Sequence, residues 1–258
     1  MGLGQLALGM ASLVMGVHHL RNGVRQMNAR RELAGLSAAP LPGRQFASSG
    51  RKTVRAANGQ NVPMRMRSFR IRSLDDRIAH LRKLVDEGKR DPQVYAFARR
   101  AINQRCGNGW CVPEKDNLSE AKALFAALQE AVPPRMTARD LAAARAVFGE
   151  IRRSVRYTSD IDGVDTYQKP AHTLSLRGGD CDDGSSLTCA ALGSIGIPCR
   201  FKVIRTVGAR EWNHIYPQAG FPRSNPKRWV SMDSSVNMPF GWQAPPRMVA
   251  QSKVFAVR

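Results

Sequence analysis

The chain has 258 residues, with 40 Lys and Arg against 20 Asp and Glu, a formal net charge of +20 and a pI near 10.9. That length allows one good-sized domain plus an extension, and a hydrophobic content of 43% excludes wholesale disorder. An aromatic fraction of 7% leaves little material for the stacking platforms that hold single-stranded nucleic acid.

In chain order, residues 1–17 carry no ionisable side chain, and Leu3, Leu6, Ala7, Met10, Leu13, Val14 and Val17 fall on one helical face. No Lys or Arg precedes this run and no small-x-small site follows it, which argues against a cleaved signal peptide. It is short for a bilayer span, which takes about 20 apolar residues, and it carries Gly2, Gly4, Gly9 and Gly16. It reads as a helix that packs on a partner protein or lies in a membrane interface. Residues 1–73 hold twelve Lys and Arg against a single acid, Glu32, so more than half of the net charge sits in the first quarter. Such an arm is attracted to polyanions: nucleic acid, an anionic membrane face or an acidic protein. Residues 35–63, rich in Gly, Pro, Ser, Ala and Asn, read as a linker or extended arm.

From Ser73 the pattern is that of a folded domain. Ser73 and Asp76 cap a helix carrying Ile78, Leu81, Leu84 and Val85 that ends near Gly88. Asp91-Pro92 opens a second helix with Val94, Phe97, Ala98, Ala101 and Ile102 inward. Asn117 and Thr137 read as N-caps of two more, the latter burying Leu141, Ala144, Val147, Phe148 and Ile151. Ser185 to Ile195 is a fifth helix, closed by Gly196 and Pro198. Strands are predicted at 200–207, 211–217, 228–233 and 253–257. Helices first and an antiparallel sheet last make the fold class α+β.

Five cysteines are no disulfide framework in a chain of this size. Cys106 and Cys111 bracket a turn, without the further ligands that a zinc site needs. Cys189, mid-helix, and Cys199, on a strand, read as small core residues. Cys181 differs. Asp180 is a plausible N-cap, which places Cys181 in the first helical turn, where unpaired N–H groups and the helix dipole favour a thiolate. A thiol nucleophile needs a base, and the base an orienting group. His214 shares a strand face with Trp212 and Tyr216, and Asp233 ends the next strand; antiparallel pairing would bring the two together. His172 is the competing base, in a loop with no acid placed by pattern. Asp182 and Asp183 oppose thiol activation; for them the alternatives are capping the helix, holding a loop or binding a substrate cation. An EF-hand is excluded by spacing, because from Asp180 the glycine falls at position five and position twelve is Ala191.

Gly179-Asp180-Cys181-Asp182-Asp183, Leu187 through Phe201, Asn213-His214-Ile215-Tyr216 and Arg228 through Asp233 resemble the transglutaminase-like superfamily of cysteine acyl-transfer enzymes, in the version encoded in tailed-phage structural gene clusters. The resemblance covers roughly residues 73–235. It implies a papain-like α+β core, Cys181 as nucleophile, His214 as base and Asp233 as its orienting group, and no cofactor or metal. For the oxyanion, the Cys181 backbone N–H is the first donor, with a side chain of Gln168 or Trp212 as the second. The domain plan is an apolar helix and basic arm over 1–72 and a transglutaminase-like domain over 73–258, helical to 156 and catalytic from 157. The implied function is a phage virion-associated cysteine peptidase or amidase; the alternative is a structural virion protein of capsid, neck, tail or ejection apparatus with an inactive domain. Expected partners are other virion proteins and nucleic acid or an anionic membrane through residues 1–72, together with a peptide or protein substrate. The expected location is the virion, after synthesis in the host bacterial cytoplasm. A packaging or ejection protein that binds nucleic acid rests on charge alone.

Overall fold

A computed structural model describes residues 50–55, 59–66, 71, 73–106, 135–160 and 166–257. The apolar segment 1–17, most of the basic arm, Cys111 and the helix expected after Asn117 lie outside the described residues. Among the described residues, no helix is long and apolar enough to cross a membrane.

Helix α1, Leu74–Gly88, is capped by Ser73, which has extended backbone and whose Oγ accepts the Asp76 N–H at 3.1 Å. Helix α2, Pro92–Cys106, opens on its proline, while Asp91 Oδ1 accepts the Gln93 N–H at 2.8 Å. Both helices bury the apolar residues that their periodicity marks. Helix α3, Arg135–Ser154, begins two residues before Thr137, so that threonine lies in the first turn and is not the cap. The sequence supplies Pro133-Pro134 immediately upstream, a stop that propensity reading underweights.

Strand β3, Arg156–Tyr157, pairs in parallel with β4, Gly178–Gly179, and between them runs α4, Pro170–Leu176. Helix α5, Cys181–Ser194, follows directly. It is the hub of the domain: α1, α2, α3 and α4 pack on it, and its remaining side meets the sheet. Every residue from Asp182 to Leu192 is buried. Its small side chains permit that approach, and its hydroxyls are satisfied by its own backbone. Ser185 Oγ donates to the Cys181 carbonyl at 2.6 Å, and Thr188 Oγ1 to the Gly184 carbonyl at 2.7 Å.

The sheet comprises β5 Cys199–Thr206, β6 His214–Phe221, β7 Arg228–Ser231 and β8 Val249–Val257, in the order β7-β6-β5-β8, all antiparallel. Strand β6 starts three residues later than expected and continues through Pro217. The Pro217 carbonyl accepts the Met232 N–H at 2.9 Å, so its missing donor faces the end of β7, beyond the last paired residue. β8 is nearly twice its predicted length, because it pairs along the whole of β5.

Two further departures have physical causes. Within the stretch read as a linker, β1 Gly50–Arg55 and β2 Asn61–Met66 form an antiparallel hairpin. Asn58-Gly59, flanked by Thr53-Val54 and Val62, is a hairpin signal that bulk composition hides, and Gly59 has φ +84°. Cys189 and Cys199 are buried, as expected of core residues, but they are joined as a disulfide between α5 and β5. Their separation of ten residues closes a short loop, with an expected contribution of about 3 kcal/mol. Guanidinium unfolding should therefore show Cys199→Ala to be less stable by about that amount, and a reductant should destabilise the wild type while leaving the variant unchanged.

Candidate active site at the N-terminus of helix α5

The local sequence builds the helix start tightly. Asp180 has extended backbone, and its Oδ1 accepts the N–H groups of Asp182 at 3.0 Å and Asp183 at 3.1 Å. Asp183 returns the bond to the Asp180 N–H, completing a capping box. Gly179 is obligatory here, since a Cβ on it would lie 2.7 Å from Asp183 Cβ. Cys181 is thereby fixed as the first helical residue, half-buried and with a free thiol. The Ile215 backbone N–H reaches the thiol, which places the sulfur at the start of β6 beside His214. Ser185 Oγ, one turn on, also approaches the Ile215 carbonyl at 3.2 Å, tying helix to strand at this point.

His214 is delivered by a knot at the β5–β6 connection. Asn213 Oδ1 accepts the Thr206 N–H at 3.0 Å, and its Nδ2 donates to Thr206 Oγ1 at 2.9 Å. His214 Nε2 lies 2.7 Å from Asp233 Oδ2, and both side chains are largely buried. With Nε2–H donating to the carboxylate, Nδ1 is the ring nitrogen that carries the basic lone pair. Burial opposes the charged imidazole, but Asp233, by charge and hydrogen bond, and Asp180 outweigh it, holding His214 above its ordinary 6.5. Burial likewise opposes the Asp233 carboxylate, yet His214 and Ser235 hold it below its ordinary 3.8. Ser235 is a residue that pattern reading misses: its Oγ and N–H both donate to Asp233 Oδ1, at 2.6 and 3.1 Å. The signal is present in Asp233-Ser234-Ser235, an Asx-turn sequence.

The structure brings Cys181, His214 and Asp233 to one end of the sheet. Gln168 has a different occupation. Its Nε2 donates to Asp183 Oδ2 at 2.7 Å and to the Gly178 carbonyl at 3.3 Å, and its N–H to Asp183 Oδ1 at 2.7 Å. Both amide hydrogens are thus committed to bracing the helix cap, and neither is directed at an oxyanion. Trp212, partly buried, packs against the core two residues before His214, with Lys253 Nζ 5.5 Å from its ring centroid. His172 sits on α4, and the acid that pairs with a histidine here, Asp233, belongs to His214. On β3, the Tyr157 hydroxyl pKa is raised by desolvation first and then by the charges of Cys181, Asp180 and Asp182. Cys181 itself is pushed well above the ordinary thiol range by burial, then by Asp180 and Asp182, against the lowering effect of the Ile215 N–H. The opposition expected from its acidic neighbours is therefore present.

A helix-borne cysteine beside a strand-borne histidine that an aspartate holds, in an α+β domain, defines the class of arrangement used in thiol acyl transfer. The family model of the transglutaminase-like superfamily matches residues 126–234, the stretch from before α3 to just past Asp233. No curated protein matches the chain. Among solved structures, a candidate cysteine protease from Cytophaga hutchinsonii is similar at 17% identity and a TM-score of 0.29, over 64% of this chain and 52% of that one. The chain thus spans about half the length of that protein.

The His214–Asp233 pair makes stability depend on pH with a definite sign. A histidine raised above 6.5 adds stability that is complete below 6.5 and lost as pH rises through the raised value, and an aspartate lowered below 3.8 adds stability that is lost in acid. Thermal melts across pH should show Asp233→Asn to be most destabilising between 3.8 and 6.5, with the difference from wild type shrinking as pH rises through the raised His214 value.

Proposed function

We propose that the protein is a transglutaminase-like cysteine peptidase or amidase, acting by thiol acyl transfer on peptide or amide bonds and carried in the particle of a tailed phage. The observation that carries the chemical part is the 2.7 Å His214 Nε2–Asp233 Oδ2 contact at the point where α5 begins with Cys181. In the proposed reaction, His214 Nδ1 takes the Cys181 proton as the sulfur attacks the carbonyl carbon. The Cys181 backbone N–H, with the Trp212 side chain as second donor, stabilises the oxyanion. His214 then gives its proton to the departing amine, leaving a thioester. Water, deprotonated by His214, releases the acid; an amine in its place makes a crosslink. The particle assignment draws on the sequence resemblance and on the basic segment before residue 73, suited to acidic neighbours or nucleic acid.

One observation favours a second reading, an assembly module with a silent site: burial and the flanking carboxylates push the Cys181 thiol up, away from thiolate. Peptide-resolved iodoacetamide labelling separates the two. An active site predicts that Cys181 labels at neutral pH faster than a thiol in the denatured chain, and that His214→Ala slows it by roughly 10²-fold. Cys181→Ala should abolish hydrolysis of a general protein substrate while the melting curve is preserved. Labelling no faster than in the denatured chain, indifferent to His214, would establish the silent module.

A further inference from the structure

Two cations on the sheet have no counter-ion among the described residues. Arg200 and Lys202 stand two residues apart on β5, on the face that their register partners Gln218 and Tyr216 share with His214. Arg200 Nε donates to Gln218 Oε1 at 2.8 Å, and its guanidinium carbon lies 4.3 Å from the Trp229 ring centroid. Lys202 Nζ donates to Gln243 Oε1 at 2.8 Å and lies 5.9 Å from the Tyr216 ring centroid. All of these partners are neutral. Burial lowers the pKa of both groups, the charge of Arg200 lowers that of Lys202 further, and no carboxylate acts on either. Holding two like charges side by side and partly out of water costs stability, yet the neighbouring side chains fix them there. Gln218, 2% exposed, gives its Nε2 to Ser231 Oγ at 3.0 Å, which turns its carbonyl oxygen to Arg200. With Nε taken and one face on Trp229, the two Nη groups of Arg200 remain as a planar fork of donors. Tyr216, across the strands from Lys202, is 1% exposed and its hydroxyl has no hydrogen-bond partner, a further unused donor on the same face.

We propose that Arg200 and Lys202 form an anion site that serves the candidate active site as a specificity subsite, taking the carboxylate of an Asp or Glu side chain in a polypeptide substrate. The register sets the spacing. His214 is opposite Ile204, and Lys202 and Arg200 lie two and four residues back along β5 on the same face, roughly 7 and 13 Å along the strand. An extended peptide advances roughly 3.3 Å per residue, so an acid two to four residues from the scissile bond reaches the pair while the carbonyl is at Cys181. A carboxylate fits because the single fork of Arg200 matches its two oxygens, with the Lys202 ammonium as the second charge. An amide of the same shape, Asn or Gln, lacks the charge and offers the fork one acceptor in place of two. The role as a subsite rests on the peptidase or amidase reading of Cys181 and His214, whereas the anion site itself does not.

The full-length protein acting on a peptide library, with cleavage sites read by mass spectrometry, should place Asp or Glu at one fixed position two to four residues from the cut. In a peptide carrying that acid, exchange of Glu for Gln should lower kcat/KM about tenfold, chiefly through KM, and Arg200→Gln or Lys202→Gln should bring the two peptides close to parity. Arg200→Lys, which keeps the charge and loses the fork, should recover only part of the preference. Cleavage without acidic preference overturns the subsite and leaves the peptidase standing. A second measurement needs neither turnover nor a variant. Acetic anhydride labelling of Lys202 in the wild type, followed peptide by peptide, should slow about twofold once N-acetylglutamate α-amide reaches its Kd, and should not respond to N-acetylglutamine α-amide. Protection of Lys202 with no peptide cleaved removes the catalytic reading while the anion site stands; equal labelling with the acid and the amide overturns the anion site.

Discussion

The structure depends on the burial of one small-residue helix from all sides. Four helices and the sheet converge on α5, and they can do so only because Ser, Thr, Ala, Gly and Cys dominate the run from Cys181 to Ser194. Burying a helix this polar would be costly if its hydroxyls were left unpaired. They are paired, chiefly to carbonyls three or four residues back, so the helix is self-contained and its neighbours need supply only shape. Gly88 shows how close the approach is: a Cβ there would come within 2.5 Å of Pro170 Cγ and 2.9 Å of Ala190 Cβ. Because α5 is fixed on every side, the position of its first residue is fixed too.

That first residue is Cys181, and the precision of its neighbourhood comes from hydrogen bonds that reach across the fold. Gln168 braces Asp183, Asp183 and Asp180 close the cap, and the cap sets Cys181 on the side of the Ile215 N–H. On the sheet, Ser235 holds Asp233 and Asp233 holds His214. A second long-range tie keeps the two halves in register. Arg223, beyond β6, forms a bidentate pair with the buried Asp140 of α3 and donates to the Ile195 carbonyl at the end of α5 at 3.3 Å. Helical layer and sheet are thus locked at both ends of the same helix.

Much of this was legible in the sequence, and the reasons differ from place to place. The buried faces of α1, α2 and α3 follow from 3.6-residue periodicity, and the cap at Asp180 from the Asp-x-x-Asp spacing before a small-residue run. The approach of His214 to Asp233 follows from two alternating stretches joined by a Pro- and Gly-containing loop. Three things were not legible. The hairpin at 50–66 was masked by local composition, although Asn58-Gly59 announced it. The Cys189–Cys199 disulfide depends on a helix and the following strand lying side by side, which no one-dimensional pattern states. The partner of Gln168 is set by proximity, which chemical competence as an oxyanion donor does not reveal; with Asp183 buried within reach, the amide goes to it.

Cys181 is surrounded by groups that oppose ionisation of its thiol, while the nearby imidazole of His214 is stabilised as a cation. In a bare site these effects pull towards a neutral thiol beside a charged histidine, an unproductive pairing for attack. Of the carboxylates responsible, Asp180 also builds the helix cap, so it cannot be removed without losing the geometry that positions the sulfur. The cation that acts on Asp182 is Arg77, while His214 is occupied with Asp233. Asp180 therefore both sets the position of the sulfur and opposes its ionisation, so the geometry of the thiol and its reactivity are coupled through one helix cap.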